Sequence, residues 1–304
     1  MTPPADATPA DTRRLLAPVR DPLRAFLLAS ALAAVMAAAP QTSRAAVDQP
    51  TVDVAPPEQV QPTSDTGPAD PGPPAHRCDV PLEVAPVQEP VPSLVRAVKE
   101  GPRPLKIVVL GSLTGAESPL VRDIPDFRSR LQTQLEEEIA ARALDLPLKV
   151  EMVGKRRALV GELAALIRRE VLPMNPALVL WHVGRADARQ AIAPHRFSQS
   201  LKEGLDILQQ AGIAAILADI QFHPQFEALY RTDDYRNYVR WVAGKRDVPL
   251  LRRYEMIEHW ASAGAIDLDS GEDADQQAAY RFIQECLAYQ AIRMILGGSG
   301  LLQR

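Results

Sequence analysis

Several residues that can act as nucleophile, base or hydrogen-bond donor follow short apolar runs of the 304-residue chain. They share one position, at or just after the carboxyl end of such a run, and they are Ser112, Gly154, His182, Gly184, Arg185, Asp187, Asp219 and His223. A serine becomes a nucleophile beside a base such as histidine, which a carboxylate orients in turn. Preorganised donors stabilise the oxyanion that develops in acyl transfer. The residue types therefore indicate ester hydrolysis or the binding of a polar ligand.

Each of these candidates also has a purely structural interpretation. A glycine at the end of a strand is commonly a turn residue. His182 can be a wall residue of the core, and Asp219 can cap the helix that follows it. Lys155–Arg157 can be a solvated corner or can hold an anion. The segment Gly111–Gly115 is not a phosphate-binding loop, because it lacks the Lys-Ser/Thr ending of that motif.

The elements that must position these residues are predicted by apolar runs that do not alternate with polar residues. The runs are Leu105–Leu110, Leu148–Val153, Ala177–Val183, Ile213–Ile220 and Val248–Leu251. Such runs, joined by helices, are typical of a parallel sheet covered on both faces. The pattern predicts an α/β fold, a flavodoxin-like doubly wound sandwich with a five-stranded parallel sheet. Folds of this class place their sites beyond the carboxyl ends of the strands, where the candidates lie.

Helices are expected where apolar residues recur at helical spacing. They cover Phe127–Ile139, Leu159–Ile167, Phe197–Leu208, Asp233–Lys245 and Asp275–Leu296. The second of these helices is expected to stop at Pro173, and Gly212 is expected to supply the C-terminal cap of the third.

Residues 1–46 have the layout of a secretory signal. Four arginines precede the 15-residue apolar run Ala25–Ala39, and small residues follow up to Ala45. A run of this length is short for a membrane-spanning helix. An uncleaved N-terminal anchor is the alternative, and this segment would then be the attachment to a membrane. We therefore expect an exported protein that is periplasmic or secreted, or anchored in the inner membrane.

Residues 47–92 have the composition of a linker. Twelve of these 46 residues are proline, and Arg77 is the one base among several acidic residues. Few of the residues can pack, so a disordered, partly polyproline linker is expected. Its last part, from about Cys78, is expected to pack on the domain that follows, residues 93–304.

Composition excludes several classes of protein. The net charge of −4, with a nearly neutral domain, argues against a nucleic-acid-binding protein. Two cysteines are too few for a zinc ribbon or an iron–sulfur protein. The five histidines show no ligand spacing, so neither a metal nor a cofactor is expected.

The order of the segments resembles the SGNH/GDSL hydrolase family, in particular exported bacterial members with a proline-rich leader. Lys106–Ser112 and Leu180–Gly184 are similar to the family's first and third sequence blocks. Ala218–Gln221 and Leu251–Tyr254 resemble its later strands, and the resemblance spans about residues 78–296.

The resemblance implies a serine esterase. In the family, a serine after the first strand attacks the acyl carbon, while a glycine and an asparagine after the next two strands help to bind the oxyanion. An Asp-x-x-His sequence near the start of the last helix supplies the orienting acid and the base. Here an ungapped alignment puts Leu113 at the nucleophile, and a one-residue deletion puts Ser112 there instead. Gly154 matches the family's glycine.

The remaining positions depart from the family. Ala186 occupies the asparagine position, and Asp275 matches the acid, but Ala278 stands where the base is expected. Loss of both the oxyanion side chain and the base favours a hydrolase-like protein with impaired catalysis. Such a protein would bind an acylated carbohydrate in its cleft or serve a paralogous hydrolase as a partner.

Two other functions stay open. An active serine esterase would use Ser112 with His182 or His223 as a relocated base, oriented by Asp219 or Asp187. In an inert structural protein of the cell envelope, the proline-rich linker would position the domain, and none of these residues would have a catalytic role.

The two cysteines carry a structural prediction. Export places the domain in an oxidising compartment, where Cys78 and Cys286 are expected to pair and to clamp the end of the linker to the last helix. Two independent buried thiols are the alternative.

Overall fold

The computed structural model describes residues 76–112 and 119–301, with Ser112 described by its backbone alone. The expected signal at 1–46, most of the linker and Leu113 lie outside the described residues. Within the described part of the chain, no helix is both long and apolar enough to cross a membrane.

Five parallel strands form the central sheet, in the order β2-β1-β3-β4-β5. Their bounds are β1 Leu105–Ser112, β2 Leu148–Lys155, β3 Leu178–His182, β4 Ala214–Ala218 and β5 Leu250–Leu251. The predicted doubly wound fold with five parallel strands is confirmed. After β1 the chain runs to one side of the sheet, to β2, and after β3 it runs to the other side, to β4. The segments that follow β1 and β3 therefore separate at the carboxyl edge of the sheet and leave a crevice between them.

Ten helices are found among the described residues. They are α1 Pro92–Glu100, α2 Phe127–Ala141, α3 Val160–Leu166, α4 Leu172–Met174, α5 Arg185–Arg189, α6 Pro194–Gln210, α7 Pro224–Leu229, α8 Asp233–Arg246, α9 Arg253–Ser262 and α10 Asp273–Gly298. A π-helical segment, Ile167–Val171, joins α3 to α4, and a short 3-10 turn covers Pro119–Val121.

Several predicted boundaries need correction. The helix expected to stop at Pro173 continues through it to Met174, because a proline in the first turn of α4 need not donate a hydrogen bond. The fifth strand covers Leu250–Leu251 only. The segment Leu251–Tyr254, which resembles a later strand of the family, is therefore a strand only at Leu251, and α9 begins at Arg253. The expected glycine at the end of α6 is confirmed, because Gly212, with a φ of +70°, follows the C-cap residue Ala211.

Apolar side chains cover both faces of the sheet. One face packs against α2, α9 and α10, and the other packs against α3, α6 and α8. Trp181 of β3 is fully buried in the second layer. A Cβ atom on Gly204 of α6 would lie 2.2 Å from the Trp181 ring, so glycine is what lets the helix approach the sheet here.

The disulfide between Cys78 and Cys286 is present, which confirms the predicted pairing. Both cysteines are fully buried. Gln290, which lies on α10 together with Cys286, donates a side-chain hydrogen bond to the Cys78 carbonyl oxygen at 2.6 Å. The segment that begins near Cys78 thus packs on the domain, at the side of α10.

Reduction of the disulfide is expected to lower the free energy of unfolding by about 5 kcal/mol, because the bridge closes a loop of 208 residues in the unfolded chain. Denaturant unfolding with and without reductant measures this difference. The Cys78→Ser variant should equal the reduced wild type and should not respond to reductant. Titration that finds two free thiols in the denatured, non-reduced protein would contradict the prediction.

Candidate functional site

A cavity of about 800 Å³ opens at the carboxyl edge of the sheet, between the start of α2 and one side of α10. Its floor contains residues near the ends of three adjacent strands, Val109, Met152 and His182. Gln221 and Arg253 reach it from the chain segments after β4 and β5. The cavity therefore lies where this class of fold places its ligands.

Two of the residues singled out in the sequence line this cavity, His182 and Arg156 of the segment Lys155–Arg157. The ring of His182 packs edge-on to Phe127, with ring centroids 5.1 Å apart, and its Nδ1 lies 3.3 Å from Nη1 of Arg253. A guanidinium group only donates hydrogen bonds, so Nδ1 must be the acceptor. The proton of the neutral imidazole is then on Nε2, which is buried without a hydrogen-bond partner among the described residues. Burial, reinforced by the charge of Arg253, holds the pKa of His182 well below its usual range.

Arg253 is 8% exposed and is positioned by the short β5, after which the chain turns directly into α9. Its Nε donates to the carbonyl oxygen of Asp219 at 2.7 Å, and its Nη2 donates to the same oxygen. Burial lowers the pKa of Arg253 to about 10, and the Asp219 charge opposes this shift. The side chain stays cationic at neutral pH and links the ends of β3 and β4.

Asp219 is fully buried beside this contact, and it caps a helix, as the structural interpretation of this residue proposed. The capped helix is α9 and not the helix that follows Asp219 in sequence. Its Oδ1 accepts a hydrogen bond from the Tyr254 N–H at 3.2 Å, whereas Oδ2 is buried without a described partner. Burial raises the pKa of Asp219 to about 6, and the charge of Arg253 opposes this rise.

Asp187 has a similar position at another helix. Both carboxylate oxygens face the Val160 N–H, at 3.1 and 3.3 Å, at the start of α3. Burial raises the pKa of Asp187 to about 6. No described hydrogen bond joins Asp187 or Asp219 to a histidine ring, so the structure does not place either carboxylate as the orienting acid of a base.

His223, Gly184 and Arg185 lie along the same edge of the sheet but outside the residues that line the cavity. Burial lowers the pKa of His223, and Arg185 adds to this effect while Asp269 opposes it. The guanidinium of Arg185 lies over the Phe226 ring, 4.2 Å from its centroid. Gly184 has a φ of +95°, and a Cβ atom there would lie 2.8 Å from the Ile220 side chain. The backbone conformation and the close packing therefore explain why this residue is a glycine.

The positions transferred from the family are separated in the structure. Gly111 pairs with Gly154 and the Ser112 backbone pairs with Lys155, so Gly154 is adjacent to the end of β1. Asp275 is exposed, accepts a hydrogen bond from Ser270 Oγ at 2.7 Å, and lines a different pocket together with Ala278. The structure thus brings Gly154 to the edge beside β1, but it does not bring Asp275 to His182.

The principal residue that the sequence analysis missed is Arg253. The available signal was a pair of arginines directly after a short apolar run, at the same kind of position as the other candidates. Buried Gln284 on α10, which also lines the cavity, carries no comparable signal, because it sits within a long helix among other polar residues.

Comparison with known families and structures gives one family match. A model of the family described as Non-GDSL lipase-like family matches residues 77–300. No curated protein matches the chain.

Among solved structures, the chain is similar to TesA, with 17% identity, a TM-score of 0.47, and coverage of 61% of this chain and 97% of that one. It is similar to the lipase/acylhydrolase from Enterococcus faecalis, with 17% identity, a TM-score of 0.46, and coverage of 62% and 95%. It is also similar to a catalytic mutant of Axe2, an acetylxylan esterase from Geobacillus stearothermophilus, with 14% identity, a TM-score of 0.47, and coverage of 63% and 94%.

The imidazole of His182 is expected to be the neutral Nε2–H tautomer at neutral pH and still at pH 6.5, where an ordinary imidazole is half protonated, because Arg253 occupies Nδ1 and burial disfavours the cation. Two-bond ¹H–¹⁵N spectra report the protonated nitrogen, and the His182→Gln variant assigns the resonance. A proton on Nδ1, or a titration midpoint near 6.5, would contradict this assignment.

The Asp219→Asn variant is expected to gain stability relative to the wild type as the pH rises. Because the pKa of Asp219 is raised from 3.8 to about 6, the wild type loses stability between these pH values, and the asparagine variant does not. The relative gain is about 2 kcal/mol, measured by denaturant unfolding from pH 4 to pH 7. Asp275→Asn, at an exposed carboxylate, is the control. A difference between wild type and Asp219→Asn that does not change with pH would refute the assignment.

Proposed function

The chain belongs to the non-GDSL lipase-like family, which confirms the resemblance to SGNH/GDSL hydrolases, and from this premise we propose a ligand-binding protein with impaired ester hydrolysis. The ligand would occupy the cavity at the carboxyl edge of the sheet. Fold alone does not establish activity, so the proposal depends on the side chains at this edge.

The observation that carries the proposal is the contact between Arg253 and Nδ1 of His182. A general base for a serine must accept a proton and needs a pKa near the working pH. The guanidinium holds the proton of His182 on Nε2 and makes the imidazolium unfavourable, so this histidine is suited to donate a hydrogen bond. A histidine held in this form cannot accept a proton at Nε2, so it does not activate a nucleophile from that side.

The place of Asp275 also supports impaired catalysis. In the family the acid and the base lie three residues apart, and here the matching pair is Asp275 and Ala278, which has no titratable group. Because these two residues line a pocket other than the one with His182, a histidine on β3 does not replace the missing base through this acid.

The size of the cavity and the disulfide support the finer parts of the proposal. A volume of about 800 Å³ suits an acylated sugar or a molecule of similar size. A bridge between Cys78 and Cys286 is characteristic of an oxidising compartment, in agreement with export to the periplasm or the medium. The alternative is that the protein acts as a partner of a paralogous hydrolase and contacts it through the same cleft.

An active esterase is the second candidate, and one observation favours it. The charge of Asp269 favours the protonated form of His223, although no described hydrogen bond joins the two side chains. Burial and Arg185 oppose this effect, and the pKa of His223 is lowered on balance. The base for Ser112 would in this case be His223 or His182, of which His182 is less suited because Arg253 occupies its Nδ1.

Hydrolysis of a short-chain aryl acetate tests the two candidates. We expect no rate above the buffer background for the wild type or for Ser112→Ala, with circular dichroism showing that both are folded, because no histidine is held as a base. Ser262→Ala, at an exposed position on α9, is the matched control. A rate that is lost in Ser112→Ala and retained in Ser262→Ala would reject the proposal, and the His182→Gln and His223→Gln variants would then identify the base.

A further inference from the structure

Among the described residues that line the large cavity, basic side chains outnumber acidic ones. In the part of the chain that the structure describes, the ionisable residues on its wall, apart from His182 and Tyr280, are Arg122, Arg128, Arg156, Arg253, Asp123 and Asp126. One of the two aspartates is already engaged, since Asp126 accepts a hydrogen bond from the Ser129 N–H at 2.8 Å and caps α2. A cavity wall of this sign favours a negatively charged ligand.

Arg253 is the buried member of this set and has unused donors. A guanidinium has five N–H groups, and three of them serve the Asp219 carbonyl oxygen and His182 Nδ1. Its hydrogen bonds run to a backbone oxygen and a ring nitrogen, and none runs to a carboxylate among the described residues. Two N–H groups of a buried cation at the cavity wall thus lack a described acceptor, and a charged oxygen would compensate them best.

His182 determines the orientation of this guanidinium. Its Nδ1 accepts from Nη1, while the Asp219 carbonyl oxygen takes the opposite side of the planar group. Both contacts come from the ends of adjacent strands, β3 and β4, which are rigid parts of the fold. The planar group is therefore held in one orientation before any ligand arrives, which reduces the entropic cost of binding.

We propose that the cavity binds a small molecule through one oxyanion group, a carboxylate or a phosphate, which accepts hydrogen bonds from the guanidinium of Arg253. His182 is the positioning residue for this contact. The cavity is far larger than one such group, so the oxyanion is a substituent of a larger ligand. This inference rests on the proposed ligand-binding function and names the chemistry that the ligand must carry.

Calorimetric titration of the purified protein tests this chemistry with three probes at constant ionic strength: inorganic phosphate, acetate, and acetamide, the neutral analogue of acetate. We expect saturable binding of at least one of the two anions and no binding of acetamide. Phosphate alone would assign a phosphate-bearing ligand, and acetate alone a carboxylate-bearing one. Binding of acetamide as strong as that of acetate, or no binding of either anion, would overturn the inference.

Variants locate the binding group. Arg253→Lys keeps the charge but loses the planar fork, and it should weaken anion binding about ten-fold. Arg281→Lys, on the exposed side of α10 in the other pocket, should leave it unchanged. His182→Gln retains an acceptor for Arg253 and should bind nearly as well as wild type, whereas His182→Leu should lose about ten-fold.

A second measurement covers the case in which Arg253→Lys does not fold. The Nε–H resonance of Arg253 in the wild type should shift on titration with the anion that binds, and the resonance of Arg281 should not. An anion that binds without moving the Arg253 resonance would overturn the inference. The hydrolysis assay is separate, because Ser112-dependent hydrolysis with intact anion binding rejects the proposed function alone.

Discussion

The guanidinium of Arg253 links three segments of the chain at the carboxyl edge of the sheet. The guanidinium contacts the imidazole of His182 at the end of β3 and the carbonyl oxygen of Asp219 after β4. Arg253 itself is the first residue of α9. A cation buried to this extent is stable only with acceptors placed around it. The position of β5 and the turn into α9 place Arg253 beside His182 and therefore determine which tautomer its imidazole adopts. Without this contact, either ring nitrogen of the neutral imidazole could carry the proton.

Buried carboxylates serve the same edge in a structural way. Asp219 binds the first turn of α9 and Asp187 binds the first turn of α3, although neither helix follows its aspartate directly in the chain. The N-terminus of a helix favours a negative charge, which partly offsets the desolvation of each carboxylate. Both carboxylates accept from backbone N–H groups, Asp187 with both oxygens and Asp219 with Oδ1 alone, and no described hydrogen bond joins either one to a histidine ring.

The domain thus combines the scaffold of a hydrolase family with side chains that are suited to binding. The parallel sheet delivers several chain ends to one edge, and this property does not depend on which residues occupy those ends. The proposed binding of a polar ligand depends on the large cavity, a donor-only cation and a histidine held neutral. The disulfide holds the segment near Cys78 against the far side of α10, where it stabilises the domain without contacting this cavity.

The sequence by itself determined the parallel sheet, because the runs at β1 and β3 are apolar on both faces and only a sheet covered by helices can bury them. It also determined the cysteine pair and the cap at Gly212, which depend on residue type and local spacing. The tertiary structure alone decided that Arg253 meets His182, residues 71 positions apart, since strand order and the two-residue length of β5 bring them together. It likewise decided that Asp275 lies apart from His182, because an exposed position at the start of α10 depends on how that helix packs against the sheet. Local patterns carry no information about such contacts, which arise only when the layers are assembled.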